Sequence, residues 1–348
     1  MKGLGFSAHG GVDNVGWVEV PPVEPGPDEV RVRVHAAAFN RLDRFVLEGI
    51  PGVPVTLPHV LGSDASGVVD RVGDGVSGVV PGAEVLVNPG IWDGTCEYCT
   101  VGQEAFCRNY RILGEHTQGS ATEFVVVPQR NIYAKPPMWS WAQAAAAPLV
   151  FQTAWRALRT VGEVHPGETV AIIGAGGAVA PAAIQVAHRL GGRVVVVGRS
   201  AEKVERAVAL GAEAGLVATA EKPHDRLLWE WSNKRGIDVI FDSAGTGTVP
   251  RSLRALARGG RLVVIGATEG PKVELDLRTL FWRQASIRGS TMASRAEFDA
   301  VYAELLGGRL RPVVDSEWEW NRGVEAFQRL GSPDVFGKVV LRTPEPSG

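Results

Sequence analysis

Three cysteines and one aspartate lie close together in the chain with the spacing of a metal site. The sequence contains three cysteines, which form the pattern Cys96-x2-Cys99-x7-Cys107, and Asp93 lies three residues before the first. Such spacing lets one loop surround a tetrahedral Zn²⁺, which prefers thiolates but accepts a carboxylate. Because four protein ligands leave no position for water, the pattern predicts a structural zinc. The alternative is three unliganded thiols, since a carboxylate oxygen is a harder ligand than sulfur.

A glycine-rich turn is the second feature that could do chemistry. Residues 169–199 read as strand, turn, helix and strand, and the pattern breaks at Gly174, Gly176 and Gly177. Glycines here let a pyrophosphate approach the N–H groups and the dipole at the helix N-terminus. The string departs from GxGxxG because Val179 occupies the third glycine position, although Ala180 keeps the helix start small. We therefore predict a dinucleotide site that includes Ala178 and Val179, rather than an ordinary glycine turn of an α/β domain.

The end of the following strand indicates which dinucleotide binds. Sites for NAD usually place an acidic residue there for the ribose 2′-hydroxyl, whereas NADP sites use a cation for the 2′-phosphate. Here the strand ends at Gly198-Arg199-Ser200, and no carboxylate occurs until Glu202. Gly198 would leave room, Arg199 offers a guanidinium fork and Ser200 offers a hydroxyl. We predict NADP(H) rather than NAD(H), with Lys203 also in the site; the alternative is that Arg199 is a solvated charge.

The order of strand and helix patterns predicts two domains of different class. Short strand patterns, such as the alternating residues 30–34, dominate residues 1 to about 125. Beyond the glycine turn, strands and helices alternate, which is typical of a doubly wound parallel sheet. The predicted elements there are helices 202–210 and 250–257 and strands 236–241, 261–265 and 286–288. We predict an α/β protein with a β-rich domain at 1–150, a nucleotide-binding domain at 151–288, and residues 289–348 returning to the first domain.

Composition limits the classes of partner. The 348 residues include 36 Lys or Arg and 38 Asp or Glu, and this near-neutral balance argues against nucleic acid or a membrane surface as a partner. No signal-peptide pattern occurs, and no apolar run of about 18 residues suggests a membrane span. We expect a cytoplasmic protein that acts on a small-molecule substrate.

Motifs along essentially the whole chain resemble those of the medium-chain dehydrogenase/reductase superfamily, which includes zinc-type alcohol dehydrogenases and quinone oxidoreductases. Besides the glycine turn, the similar segments are residues 62–67, 81–85, 96–107, 153–155, 166–170, 242–245 and 259–261. The resemblance implies a GroES-like catalytic domain, a Rossmann domain, a nicotinamide cofactor, and a homodimer or homotetramer. It also implies that residues 92–108 form the structural zinc lobe.

The family pattern implies further cofactor contacts. By position these are Thr153, which would open the helix before the first Rossmann strand, and Ser243, Ala244, Gly266, Ala267, Thr268, Ser290, Thr291 and Met292, which follow later strands. Ligands bind at the carboxyl ends of strands in such sheets. Lys338 resembles the lysine of a late Gly-Lys pair that reaches cofactor or substrate; the alternative is a solvated charge at a strand end.

The ligands of the catalytic metal are replaced in this chain. Zinc-dependent members have a Cys, a His-Glu pair and a second Cys where this sequence has Asn40, Ser63-Asp64 and Leu149. A catalytic zinc needs about three protein ligands plus an open position. We therefore predict that no catalytic zinc is bound.

Without a metal, the favoured reaction is hydride transfer to a conjugated carbonyl or a quinone. The resulting enolate or phenolate spreads its charge, so hydrogen-bond donors suffice to stabilise it. Asn40-x-x-Asp43 resembles the Asn-x-x-Asp of zinc-free quinone reductases, in which the Asn lies near the nicotinamide. We predict Asn40 as the amide donor, Asp43 as the residue that orients it and Ser63 as a third catalytic residue. His59 and His116 are candidate proton donors, or else structural loop histidines.

Two other functions remain open. One is an alcohol dehydrogenase that acts on alcohol or aldehyde, although the sequence has no Ser-x-x-x-Tyr-Lys set to replace the metal. The other is a nucleotide-binding or structural protein without turnover, against which the intact Asn40 and Asp43 argue.

Overall fold

The computed structural model describes residues 1–344, which belong to two compact units. Unit 1 comprises residues 1–149, 294–298 and the chain from 312 onward; unit 2 comprises residues 150–293 and 299–311. The sequence predicts that the whole of 289–348 returns to the first domain. In the structure, residues 289–293 and 299–311 belong to unit 2 instead. In unit 2, Glu304 binds Arg189, and Arg311 exchanges hydrogen bonds with Gln185, so this segment packs on the helix that follows the glycine turn.

The secondary structure alternates as the sequence predicts. The strands, in chain order, are β1 (Lys2–Phe6), β2 (Gly16–Glu19), β3 (Glu29–Phe39), β4 (His59–Val60), β5 (Asp64–Val72), β6 (Glu84–Val87), β7 (Gly90–Ile91), β8 (Arg111–Ile112), β9 (Phe124–Pro128), β10 (Ile132–Ala134), β11 (Thr169–Ile173), β12 (Arg193–Gly198), β13 (Ala214–Val217), β14 (Ile237–Asp242), β15 (Leu256–Val264), β16 (Ser286–Gly289), β17 (Val314–Trp318) and β18 (Lys338–Arg342). The α-helices are α1 (Arg41–Glu48), α2 (Trp141–Ala145), α3 (Pro148–Trp155), α4 (Val179–Arg189), α5 (Ala201–Val208), α6 (His224–Trp231), α7 (Val249–Ala255), α8 (Leu277–Arg283), α9 (Arg295–Leu306) and α10 (Gly323–Leu330).

Unit 1 is built on a seven-stranded sheet with the order β10-β6-β5-β3-β18-β17, in which β9 also pairs with β3. The alternation in β3 has its expected cause: Val30, Val32 and Val34 are buried in the core of this unit. The register pairs Ala38 of β3 with Asp64 of β5, and Phe39 with Val339 of β18. Three neighbouring antiparallel strands therefore place the residue after β3 and the first residues of β5 and β18 at one edge of the sheet.

Unit 2 is a six-stranded parallel sheet with the order β13-β12-β11-β14-β15-β16. All residues of β11 and β14 are buried, as expected for central strands of a sheet covered on both faces. The predicted doubly wound fold is thus confirmed. Some boundaries differ; for example, the helix predicted at 250–257 ends at Ala255, and the chain enters β15 directly.

The helix before the parallel sheet changes type along its length. The α-helix α3 ends at Trp155, and residues Arg156–Val161 continue as a π-helix. Within residues 1–344, no helix has the length and apolar character needed to cross a lipid bilayer.

Candidate functional site

Three buried polar side chains meet at the edge formed by β3, β5 and β18. Lys338 Nζ lies 2.6 Å from Asp64 Oδ2, and these side chains are 1% and 0% exposed. The same ammonium donates to Asn40 Oδ1 at 2.7 Å, and Asn40 Nδ2 donates to Asp64 Oδ2 at 2.9 Å. Each side chain of this triangle bonds the other two. The Asn40 amide is therefore held in one orientation, with its oxygen toward the cation and its nitrogen toward the carboxylate.

Backbone groups complete the surroundings of Asp64. Its Oδ1 accepts a hydrogen bond from the Leu149 N–H at 2.8 Å, and its carbonyl oxygen accepts one from Ser120 Oγ at 2.7 Å. The neighbouring Ser63 is fully buried, and its Oγ has no hydrogen-bond partner in the described part of the chain. Of the positions at which the family's metal ligands are replaced, Asn40, Ser63 and Asp64 are buried, and the half-buried Leu149 bonds Asp64 through its N–H.

Asp43 bonds the backbone N–H of Asn40 rather than its side-chain amide. Asn40 is the N-cap of α1 and Asp43 is the third residue of that helix, so its carboxylate reaches back to the capping residue. Its Oδ2 accepts from the Asn40 N–H at 2.7 Å, and its Oδ1 accepts from the Gly62 N–H at 2.6 Å. Burial raises the pKa of Asp43 to about 6, against the opposing effect of these two N–H donors and of Lys338.

The predicted role of Lys338 needs correction. The sequence predicts either contact with cofactor or substrate or a solvated charge, but the ammonium is buried against Asn40 and Asp64. The physical reason is the strand order, which places the start of β18 beside the end of β3. Sequence reasoning also missed Asp64 as the residue that orients the amide, since a pairing across 274 residues leaves no local signal.

A loop after β8 carries a functional candidate that sequence reasoning missed. Glu115 is only 9% exposed, and its nearest basic neighbour is His116, whose Nδ1 lies 3.8 Å from its Oε2. Burial, followed by the charge of Asp43, raises the pKa of Glu115 to about 7. A single glutamate in a polar loop reads as a solvated charge, so the sequence offers no sign of this burial.

The glycine turn of unit 2 has the geometry of a phosphate cradle. Gly174 and Gly177 have φ angles of +97° and +73°, which favour glycine, and a Cβ at either position would meet no atom within 4 Å. The turn therefore leaves open space next to the start of α4, where N–H groups can face an anion. The Oγ of Ser290, after β16, is buried without a partner among the described residues. These features fit a dinucleotide.

Sheet order brings most of the predicted cofactor residues to one edge. The strands β12, β11, β14, β15 and β16 are successive neighbours in the parallel sheet, so the segments after their carboxyl ends are adjacent. The predicted residues on this edge are Gly174, Gly176, Gly177, Arg199, Ser200, Ser243, Ala244, Gly266, Ala267, Thr268, Ser290, Thr291 and Met292. Thr153 lies elsewhere, within α3 rather than at its start, because that helix begins at Pro148.

The predicted reason for Gly198 is wrong. A Cβ at this position would lie 2.7 Å from Ala175 Cβ and 2.8 Å from a methyl group of Val204, so packing requires the glycine. The argument for a 2′-phosphate site therefore depends on the residues that follow. The Arg199 side chain is 87% exposed, 3.6 Å from Glu269, and Ser200 caps α5 by accepting from the Lys203 N–H.

The cysteine lobe brings its four predicted ligands together. The ligand atoms of Asp93, Cys96, Cys99 and Cys107 all lie within 4.8 Å of one another. The Sγ atoms of Cys96 and Cys99 are 3.6 Å apart, close to the edge of about 3.8 Å expected for a tetrahedron with zinc–sulfur bonds of about 2.3 Å. The donor set therefore fits a structural zinc, which would cross-link this lobe.

Hydrogen bonds fix the carboxylate of the cysteine lobe. Asp93 Oδ1 accepts from the N–H groups of Thr95 and Cys96, and Oδ2 accepts from Asn109 Nδ2 at 2.9 Å. These donors hold the pKa of Asp93 below its usual range. The group is thus an ionised carboxylate that can serve as a ligand.

We expect Asp93→Ala to weaken zinc binding more than about 10-fold, because it removes one ligand from the set. Zinc content after dialysis against graded chelator concentrations measures this effect, with Asp74→Ala, an exposed aspartate of the same unit, as the matched control. Equal zinc retention in Asp93→Ala and wild type would exclude Asp93 as a ligand.

Comparisons with known proteins agree with this architecture. Residues 26–137 match the family described as alcohol dehydrogenase GroES-like domain, and residues 178–307 match the family described as zinc-binding dehydrogenase. The chain is 32% identical to an acryloyl-coenzyme A reductase of Metallosphaera sedula, over 93% of this chain and 95% of that protein. It is 30% identical to an NAD-dependent alcohol dehydrogenase of Sulfolobus acidocaldarius, over 93% and 94% of the two chains.

Among solved structures, an NAD-dependent alcohol dehydrogenase superposes with a TM-score of 0.92 and 40% identity, covering 99% of this chain and 100% of that one. The likeness thus extends through both units and includes the catalytic and nucleotide-binding regions. The chain therefore belongs to the medium-chain dehydrogenase/reductase superfamily and is an NAD(P)-dependent oxidoreductase.

Proposed function

We propose that this enzyme transfers hydride from NADPH to a conjugated carbonyl compound, with an enoyl thioester as the favoured substrate, and that it uses no catalytic metal. The triangle of Asn40, Asp64 and Lys338 carries the proposal. In it, a lysine ammonium already neutralises the buried carboxylate at 2.6 Å. A metal cation next to that ammonium would be repelled, and one carboxylate with no His or Cys beside it among the described residues falls short of the three protein ligands that a catalytic zinc needs.

The amide of Asn40 is the group that can stabilise developing charge on the substrate. Its nitrogen carries two hydrogens, and one of them points at Asp64. The second hydrogen is available to the oxygen on which enolate charge appears after hydride arrives. Because Asp64 and Lys338 hold the amide in place, this donor needs no reorganisation during the reaction, which is the condition under which such donors are most effective.

The nicotinamide cofactor supplies the hydride, and the residues of unit 2 hold it. The glycine turn before α4 offers space and N–H donors for the pyrophosphate. Arg199 and Ser200 follow β12, where a 2′-phosphate would lie, and no carboxylate follows that strand until Glu202. These features support NADP(H) over NAD(H).

We expect Arg199→Ala to raise the KM for NADPH about 10- to 100-fold, because it removes a charge-assisted hydrogen bond to the 2′-phosphate. The KM for NADH should change little, since that cofactor has no 2′-phosphate. Steady-state kinetics with both cofactors measure the difference. The control is Arg206→Ala, a change in the helix α5 that follows Arg199. A parallel rise in both KM values would argue that Arg199 supports the fold of the site rather than the phosphate.

The relatives support the substrate class to different degrees. The Metallosphaera protein is described as an acryloyl-coenzyme A reductase, whose substrate is a conjugated thioester. The solved structure with 40% identity is described as an NAD-dependent alcohol dehydrogenase, and this similarity favours alcohol oxidation as the second candidate. The two functions differ in the carbon that receives hydride, so one set of acceptors separates them.

The decisive experiment follows NADPH and NADH oxidation in parallel with a but-2-enoyl thioester, a quinone and a saturated aldehyde. We expect turnover with NADPH and the conjugated acceptors, and little with the aldehyde, because an alkoxide-like charge on one oxygen needs stronger stabilisation. Turnover of the aldehyde, and of the matching alcohol in reverse, at rates above those of the thioester would establish the alcohol dehydrogenase function instead.

A further inference from the structure

We propose that Glu115 is the proton donor of this reaction and delivers a proton to the α-carbon of the substrate after hydride transfer. The inference rests on the proposed function, since only a conjugated acceptor needs a proton on carbon. It extends that function to a residue in the loop after β8.

Glu115 is buried, but in the described part of the chain its carboxyl group has no hydrogen bond of the kind that holds a structural glutamate in place. It is 9% exposed, yet among residues 1–344 no group donates a hydrogen bond to its carboxylate. The nearest basic group is His116 Nδ1, at 3.8 Å, which is beyond hydrogen-bond distance. The Glu115 side chain keeps 12% of its surface exposed. Its carboxyl group can therefore meet a substrate or water, as a proton donor must.

The loop that carries Glu115 is fixed against the Asn40–Asp64 cluster. Gly114 has a φ of +79°, and a Cβ there would collide with the carbonyl oxygen of Gly62. The Gly114 carbonyl oxygen also accepts from His59 Nε2 at 3.0 Å. Gly62 in turn donates its N–H to Asp43, so the loop and the turn before Asp64 pack as one piece. Glu115 lies close enough to Asp43, which bonds the Asn40 N–H, for the charge of that carboxylate to act on it.

The other titratable groups around Glu115 are poorer donors. His59 is 1% exposed, and its Nε2 is occupied by the Gly114 carbonyl. The His116 Nδ1 accepts from the Ile112 N–H at 3.2 Å, and burial lowers the pKa of this ring, so little of its protonated form is present near neutral pH. Asp43 is fully buried with both oxygens bonded to N–H groups.

Burial, with the charge of Asp43, explains why Glu115 retains a proton near neutral pH. Burial and this negative charge both disfavour the ionised form, and together they raise the pKa of Glu115 to about 7. A general acid is most effective when its pKa lies near the working pH. The position of Glu115 and its raised pKa thus favour the same residue as the acid.

The proposed step balances in atoms and electrons. Hydride from the nicotinamide adds to the β-carbon, and the π pair of the double bond moves toward the α-carbon and the carbonyl oxygen. The O–H bond of Glu115 then breaks as the α-carbon forms its new C–H bond, which leaves a carboxylate. Water returns the proton. The nicotinamide loses two electrons and the double bond gains them, so no other reactant is needed.

The first test is Glu115→Gln, which keeps the shape and removes the acid. We expect kcat with the enoyl thioester to fall about 10²- to 10⁴-fold, with NADPH binding unchanged. In the wild type the donor must be protonated, so kcat should decline above about pH 7. That decline should be absent in Glu115→Gln and present in Glu115→Asp. Glu104→Gln, a glutamate buried to the same 9% in the same unit, is the control and should keep the wild-type profile.

The second readout is the stereochemistry of the α-carbon when the reaction runs in D2O. The wild type should deliver deuterium to one face and give a single α-deuterated stereoisomer, whereas Glu115→Gln should give a mixture, because water then reaches the carbon without direction. Wild-type rate, pH profile and stereochemistry in Glu115→Gln would overturn the assignment of Glu115 and leave the proposed function standing. A wild-type enzyme that reduces no conjugated acceptor would overturn the proposed function and, with it, this assignment.

Discussion

Replacing Lys338 with methionine is expected to lower the free energy of unfolding by about 3–5 kcal/mol, because it leaves the buried Asp64 carboxylate without its cation. The two side chains are 1% and 0% exposed and 2.6 Å apart, so water cannot compensate for the loss. The Asn40 oxygen loses its donor in the same variant, since Lys338 Nζ bonds both groups. Urea denaturation followed by circular dichroism measures the change.

A second variant separates loss of charge balance from loss of packing. Combining Lys338→Met with Asp64→Asn removes both charges, and the pair of neutral side chains should recover part of the lost stability, since breaking a buried pair is more costly than replacing it. Arg342→Met, at the exposed end of the same strand, serves as the control and should change the free energy of unfolding by less than about 1 kcal/mol. If Lys338→Met were no more destabilising than this control, the buried triangle would not exist in solution.

The second large effect is on catalysis. Asn40→Ala is expected to lower kcat with an enoyl thioester about 10²- to 10³-fold, the usual effect of removing one donor to a developing oxyanion. NADPH binding should persist, because the proposed phosphate contacts lie in unit 2. The fold should also persist, since the direct contact between Asp64 and Lys338 remains in the variant.

Stopped-flow oxidation of NADPH, together with fluorescence titration of the bound cofactor, measures both quantities for Asn40→Ala. Asn14→Ala is the control, because that side chain bonds only loop carbonyls in the same unit. An unchanged kcat in Asn40→Ala would remove the amide from the mechanism.

The parts of the fold that depend on local pattern could be predicted from the sequence. The glycine turn lies between β11 and α4 as predicted, because strand and helix periodicities and positive-φ glycines are local properties. The four predicted ligands of the cysteine lobe also lie together as expected, because they come from one short loop. Such features need no knowledge of how distant strands pair.

The core of the site depends on long-range pairing that the sequence does not display. Asp64 and Lys338 are 274 residues apart, and only the order β5-β3-β18 makes them neighbours. Gly198 shows the same limit: its role is to admit Ala175 and Val204, which are recognisable only once the strand packs on its helix. Glu115 likewise became a candidate through the burial of its loop, which residue type and spacing do not reveal.

The claim that this enzyme reduces a conjugated acceptor without a catalytic metal is tested most directly by measuring zinc content and enoyl-reductase rate on the same samples, prepared with graded zinc loading. We predict that binding saturates at about one zinc per chain, held by the cysteine lobe, and that full activity needs no second ion. A rate that rises in proportion to a second zinc per chain, and is lost on its removal while the chain stays folded, would contradict the account.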